Sequence, residues 1–89
     1  MFFTWDARKA AANSRKHGVT FEEAETVFDD PLAGITQDDV HPERLILLGQ
    51  SSRRRLLLVV HVEVDQDTVR LISARLATRT ERRRYEEGT

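Results

Sequence analysis

Apolar and polar positions along this chain switch between strand-like and helical periods, and the switches outline its elements. Residues 2–5 are a short apolar run that predicts a β-strand. Asp6 follows where a helix N-cap belongs, and residues 7–16 are rich in helix formers. His17 and Gly18 end that helix. Glycine suits the left-handed position after a helix, and Arg15, Lys16 and His17 favour the negative end of its dipole. Thr20 and Glu23 have the spacing of a capping box, with Val19 and Ala24 as its hydrophobic staple. Phe21, Ala24, Val27 and Phe28 then share one face of a second helix that stops before Pro31.

The second half alternates in the strand manner. After an irregular stretch with a short strand at 33–36, the pattern predicts strands at 43–50, 54–64 and 68–75. Residues 51–53 and 65–67 turn between them. A last helix over 78–85 opens on a second capping box, Thr78 with Glu81. The expected fold is α+β, one twisted sheet with helices packed on one face, in a single domain over residues 1–89.

If each three-residue turn closes a hairpin, Gln50 pairs with Arg54 and Val64 with Thr68, so facing residues share parity. The even positions Ile46, Leu48, Leu56, Leu58, Val60, Val62, Ile72 and Ala74 then form the core face, against Phe21, Val27 and Phe28. The odd positions carry Arg55, Leu57, Val59, His61, Glu63, Leu71, Ser73 and Arg75. In this register Arg75 sits opposite Leu57 and diagonal to Arg55. Two guanidiniums about 7–8 Å apart on one face repel, unless an anion lies between them or both splay into water.

Composition narrows the class. Of the 89 residues 39% are hydrophobic and 33% charged, which fits a globular chain and not a disordered one. The absence of cysteine excludes disulfides, thiolate metal sites and cysteine nucleophiles. The first residues are too short an apolar run for a signal peptide and nothing has the length of a membrane span, so the expected location is cytoplasmic. The net charge of −1 hides a division: residues 1–50 hold five Lys/Arg against nine Asp/Glu, residues 51–89 nine against six. The basic half suggests an anionic partner. Its centre is the stretch 72–85, with Arg75, Arg79, Arg82, Arg83 and Arg84 on a strand end and a helix. Such a cluster is either a surface that grips phosphate or a solvated basic helix. No Gly-rich phosphate loop, metal-ligand spacing or Ser/His/Asp arrangement accompanies it.

Certain residues stand in a recognisable order. In the first half these are Trp5, Asp6, Lys9, Asn13, Lys16, His17, Gly18, Val19, Phe21, Glu22, Glu23 and Ala24, then Val27, Phe28, Asp30 and Pro31. In the second half they are Arg55, Leu56, Leu57 and Val59, then Ile72 to Arg75 with Ala77 and Thr78, then Glu81, Arg82 and Tyr85. Over these segments the chain resembles the BrnT toxins of the BrnT/BrnA type II toxin–antitoxin systems. The resemblance implies a RelE-like ribonuclease fold, cleavage of RNA without metal or cofactor, and arrest of translation. It also implies a BrnA-like antitoxin, two toxins with two antitoxins, and contact with operator DNA only through the antitoxin. Two turns depart from it: glycine is expected just before Arg55 and in the last hairpin turn, where this chain has Arg54 and Asp65, Gln66 and Asp67.

RNA cleavage of this kind needs attack by the neighbouring 2′-hydroxyl, a base, an acid, and cations for the phosphoryl oxygens. The resemblance places Arg55 and Arg75 at the phosphate, and Arg79, near the start of the last helix, is a candidate to help them. His61, Glu81 and Tyr85 are the acid–base candidates. Each has a structural alternative: a strand histidine bonded to a carbonyl, a capping-box partner, and a ring packed under the last helix. Lys16, His17, Arg82 and Arg83 suit contacts to the RNA backbone. The antitoxin is expected to cover the same face through Leu57, Val59 and Leu71. The residues alone leave a second possibility, a non-catalytic nucleic-acid-binding or antitoxin-docking module built on the same basic face.

Overall fold

The computed structural model describes residues 1–88. In chain order the elements are β1 (Phe2–Thr4), α1 (Ala7–His17), α2 (Phe21–Thr26), a 3₁₀ turn (Val27–Asp29), β2 (Gly34–Gln37), β3 (Leu45–Gln50), β4 (Leu56–Glu63), β5 (Thr68–Leu76) and α3 (Arg79–Glu86). The architecture is α+β, as the pattern predicts. Asp6 Oδ1 accepts the N–H groups of Arg8 and Lys9 at 2.8 and 3.1 Å, and Gly18 closes α1 with φ at 68°. Thr20 caps Glu23 N–H at 3.1 Å. The Glu23 carboxylate does not complete that box; it turns toward β4 instead.

The sheet runs in the order β1-β5-β4-β3-β2, with β1 parallel to β5 and the other pairs antiparallel. Val64 pairs with Thr68 as expected, its N–H bonding Thr68 O at 2.9 Å. At the other turn Gln50 pairs with Leu56 and not with Arg54, because the turn is five residues long and closes between Ser51 and Arg55. Arg54 sits there at φ 63°, the left-handed conformation. That is the position where the resemblance calls for glycine, and a side chain in it costs about 1–2 kcal/mol.

Parity holds across β3 and β4, but the two faces are exchanged relative to expectation. Leu47, Leu57, Val59, His61 and Leu71 are buried and belong with Phe21, Ala24 and Val27 on the helix side. Ile46, Leu48, Leu58, Val60 and Val62 lie on the opposite face, half-buried. The alternation misled because both faces are apolar: the polar residues that marked the odd set, Arg55 and His61, are accommodated inside. A bulge adds to this. Val60 faces Ser73 and His61 faces Leu71, so Ile72 has no partner across the ladder, and Ala74 joins the core. Arg75 therefore stands opposite Leu58, not Leu57.

Burying Phe21, Leu57 and Leu71 contributes about 1.5–3 kcal/mol each. Gly49 lets β3 approach the 3₁₀ turn: a Cβ there would lie 2.7 Å from Ala33 Cβ and 2.9 Å from Val27 Cγ1. α3 starts beside β5 and lies against β3, yet none of its residues is buried. Among the described residues no helix is long and apolar enough to cross a membrane.

Candidate active site

Arg75 is the residue on which strand and helix meet. Its Nη1 and Nη2 donate to Glu81 Oε1 and Oε2 at 2.8 and 2.9 Å. Glu81 Oε1 also accepts Thr78 N–H at 2.9 Å while Thr78 Oγ1 accepts Glu81 N–H at 3.2 Å, completing the predicted capping box. Arg75, ahead of every other influence, brings the Glu81 carboxyl down to about 2. At the other end of α3 the Tyr85 hydroxyl donates to Asp30 Oδ2 at 2.7 Å. That acceptor pushes the phenol up to about 12. Two polar contacts, one at each end, thus hold a helix none of whose residues is fully buried.

The sign of the pH response follows. Glu81 is shifted down from an ordinary 4.5, so its contribution is complete above pH 4.5 and drains away as pH falls toward 2. Amide exchange in Arg82–Glu86, corrected for intrinsic rate, is expected to quicken between pH 5 and pH 3 relative to β5. Equal protection at both pH values would detach Glu81 from the docking of α3.

Arg55 works on the other side of the sheet. Its Nε donates to Glu23 Oε2 at 2.9 Å, and its Nη2 to Glu23 Oε1 and to Gly18 O, the latter at 3.0 Å. Ser51 Oγ donates to the same carboxylate at 2.7 Å. The Glu23 side chain is 3% exposed, and Arg55 is the leading reason its carboxyl stays below the ordinary range. This network ties the start of β4 to α2 and to the end of α1. Arg55 and Arg75 consequently point to opposite faces, and one phosphate between them is geometrically excluded.

His61 is also displaced from its expected place. It is buried on the core face, 4.9 Å from the Phe28 ring centre in an edge-to-face contact, and burial lowers its pKa. A neutral imidazole packed there has no access to a 2′-hydroxyl. Leu57, Val59 and Leu71 are core residues, so no partner covers them. Arg79, Arg82 and Arg83 are exposed on α3 near Arg75, whereas Lys16 and His17 end α1 on the Arg55 side. Thus β5 and α3 gather Arg75, Arg79, Glu81, Arg82 and Arg83, with Tyr85 in the same helix; they leave out Arg55, His61, Lys16 and His17.

Asn13 is a residue that the pattern did not single out for a role. Its Nδ2 donates to Ala74 O at 2.8 Å and Val19 O at 3.0 Å, and its Oδ1 accepts Ala74 N–H at 3.0 Å. β1 stops pairing with β5 at Arg70, so this carboxamide replaces the missing strand beside Ala74, next to Arg75. The available signal was a polar residue three positions after Ala10 in an alanine-rich helix. Asp30 is similar: beyond Tyr85 it accepts Gln50 N–H at 2.7 Å and Leu32 N–H at 2.9 Å.

A family model described as the ribonuclease toxin BrnT of type II toxin–antitoxin systems matches residues 5–81. No curated protein matches the chain. The 1.1 Å crystal structure of the Brucella abortus ribonuclease toxin BrnT superposes with a TM-score of 0.71, at 23% identity over 89% of this chain and 100% of that one. The superposition speaks for the fold and the sequence match for the lineage: with residues 5–81 of 89 inside the family's pattern, this chain belongs to the BrnT family of ribonuclease toxins of type II toxin–antitoxin systems.

Proposed function

We propose that this chain is a metal-independent endoribonuclease that arrests translation in the cytoplasm, binds the scissile phosphate with Arg75, and is neutralised by a BrnA-like antitoxin in a complex of two toxins with two antitoxins. Arg75 carries the proposal. It presents a two-pronged donor at the end of β5, 37% exposed, held by one carboxylate that a phosphate can replace. Arg79 adds charge at the first position of α3, and Arg82 and Arg83 supply salt-dependent affinity for the RNA backbone.

The chemistry follows from that exchange. A phosphate that takes both Arg75 N–H groups releases Glu81, whose pKa then climbs from about 2 toward the ordinary carboxylate range. The freed carboxylate accepts the proton of the 2′-hydroxyl. The 2′-oxygen bonds to phosphorus, the bond to the 5′-oxygen breaks, and that oxygen leaves with a proton from solvent. Arg75 and Arg79 stabilise the negative charge that builds on the phosphoryl oxygens. The products are a 2′,3′-cyclic phosphate and a 5′-hydroxyl.

Cleavage by the purified chain is expected to persist in excess EDTA. Glu81→Gln separates binding from chemistry, because glutamine still completes the capping box. It should bind RNA at least as tightly as the wild type and cleave about a hundredfold more slowly, the usual effect of losing a general base. Activity lost in EDTA and restored by magnesium would overturn the metal-free mechanism. A Glu81→Gln chain that cuts at the wild-type rate would remove Glu81 as base. Wild-type protein that binds RNA, free or on ribosomes, without cutting it would make the chain a binding module.

A further inference from the structure

We infer that the antitoxin docks on the sheet face turned away from α1 and α2, through an amphipathic segment whose apolar stripe is flanked by carboxylates. The inference rests on the toxin–antitoxin assignment proposed above and gives that partner a place. Ile46, Leu48, Leu58, Val60 and Val62 form a continuous aliphatic strip across β3 and β4 on this face. It runs on to Val64, 56% exposed, and to Phe2, 69% exposed, which share a row through Thr68. From Leu58 to Val64 the strip is about 20 Å long at 3.3–3.4 Å per residue. α1 and α2 both lie on the other side of the sheet, and α3 keeps to one end of it, held at its start by Arg75 and at its far end by Asp30. A contiguous apolar patch of this kind marks an interaction surface.

The chemistry of the face selects the occupant. RNA finds no row of aromatic rings to stack on, Phe2 at the margin being the one ring on this face, and aliphatic side chains offer phosphate nothing. A second copy about a two-fold axis would lay the same arginine-bearing surface against itself. Arg70 stands directly opposite Val62 and Arg75 opposite Leu58, so cations are built into the flank of the strip. A protein segment with an apolar stripe and acidic edges satisfies both features. Carboxylates seated there would take the fork of Arg75 and keep phosphate out, which makes docking and neutralisation one event.

The test uses a purified BrnA-like antitoxin that binds the wild-type chain, titrated into wild-type protein and into Val60→Lys, Val62→Lys and Arg70→Glu variants whose fold is checked by thermal unfolding. The lysine variants are expected to lose at least a hundredfold in affinity and to cleave RNA as the wild type does, uninhibited by antitoxin. Arg70→Glu, at an exposed position, should fold in any case and lose about tenfold, with a weaker salt dependence. Wild-type affinity in the folded variants overturns the inference. So does loss of RNA cleavage with antitoxin binding intact, which would give the face to RNA, or a free wild-type dimer that Val60→Lys dissolves, which would give it to a second copy. A wild-type chain that cuts no RNA counts against the catalytic proposal alone, since the titration still reports where the antitoxin sits.

Discussion

RNA cleavage by Arg75→Ala is expected to fall at least a hundredfold, on the order of 3 kcal/mol of transition-state stabilisation, as for the loss of one oxyanion donor. Stability should fall too, because Glu81 loses two charged hydrogen bonds while its side chain is only 17% exposed. One of its oxygens keeps Thr78 N–H, and the guanidinium was 37% exposed, so screening limits the cost to about 1–2 kcal/mol. Activity is therefore to be compared per folded molecule. The Arg75→Ala, Glu81→Gln pair removes the orphaned charge, and it should recover stability without recovering cleavage. Arg75→Lys should remain strongly impaired, since an ammonium cannot offer two parallel donors. Full cleavage by folded Arg75→Ala would take the phosphate site away from this strand end.

Arg55→Ala is expected to act in the opposite manner, through folding. It leaves the Glu23 carboxylate, 3% exposed, with the Ser51 hydroxyl and the largely exposed Arg53 at 3.7 Å. Breaking a buried pair in this way costs about 3–5 kcal/mol, a large share of what a domain of this size possesses. Urea unfolding should show the midpoint drop. Glu23→Gln should cost less, because it keeps the shape and removes the stranded charge. At a temperature where Arg55→Ala is folded, its cleavage should stay within a few-fold of wild type. Combined with Arg75→Ala, the losses in cleavage should multiply, as for groups that do not act on one phosphate. An unchanged unfolding midpoint with a hundredfold loss of cleavage would return Arg55 to the active site.

Much of this protein is written in local residue chemistry. Asp6, Thr20 and Thr78 have side chains that bond the free N–H groups of a helix start, and Gly18 tolerates the left-handed turn, so the helix starts and the end of α1 need no tertiary information. The meander and the α+β class follow from alternation and turn residues, and family membership follows from residues spaced along the whole chain. Which face of the sheet is inside was not determined at that level. Both faces of β4 are apolar, and polarity at Arg55 and His61 reports only that a polar atom exists, not that water reaches it. The packing of α2 and the 3₁₀ turn decided it, by bringing Glu23 to Arg55 and Phe28 to His61. The bulge at Ile72 is likewise invisible in the pattern, because one extra residue leaves the composition unchanged while reversing the alternation beyond it. Asn13 shows the same limit from the other direction: its value lies in a strand that stops at Thr4 and so leaves Ala74 without a strand partner on that side, a fact of topology and not of any local segment. Sequence alone thus determined the elements, their caps and the lineage, because those depend on contacts within a few residues. Only the tertiary structure decided that Arg75 and Arg55 serve different faces, because that depends on which side of a doubly apolar sheet the helices close.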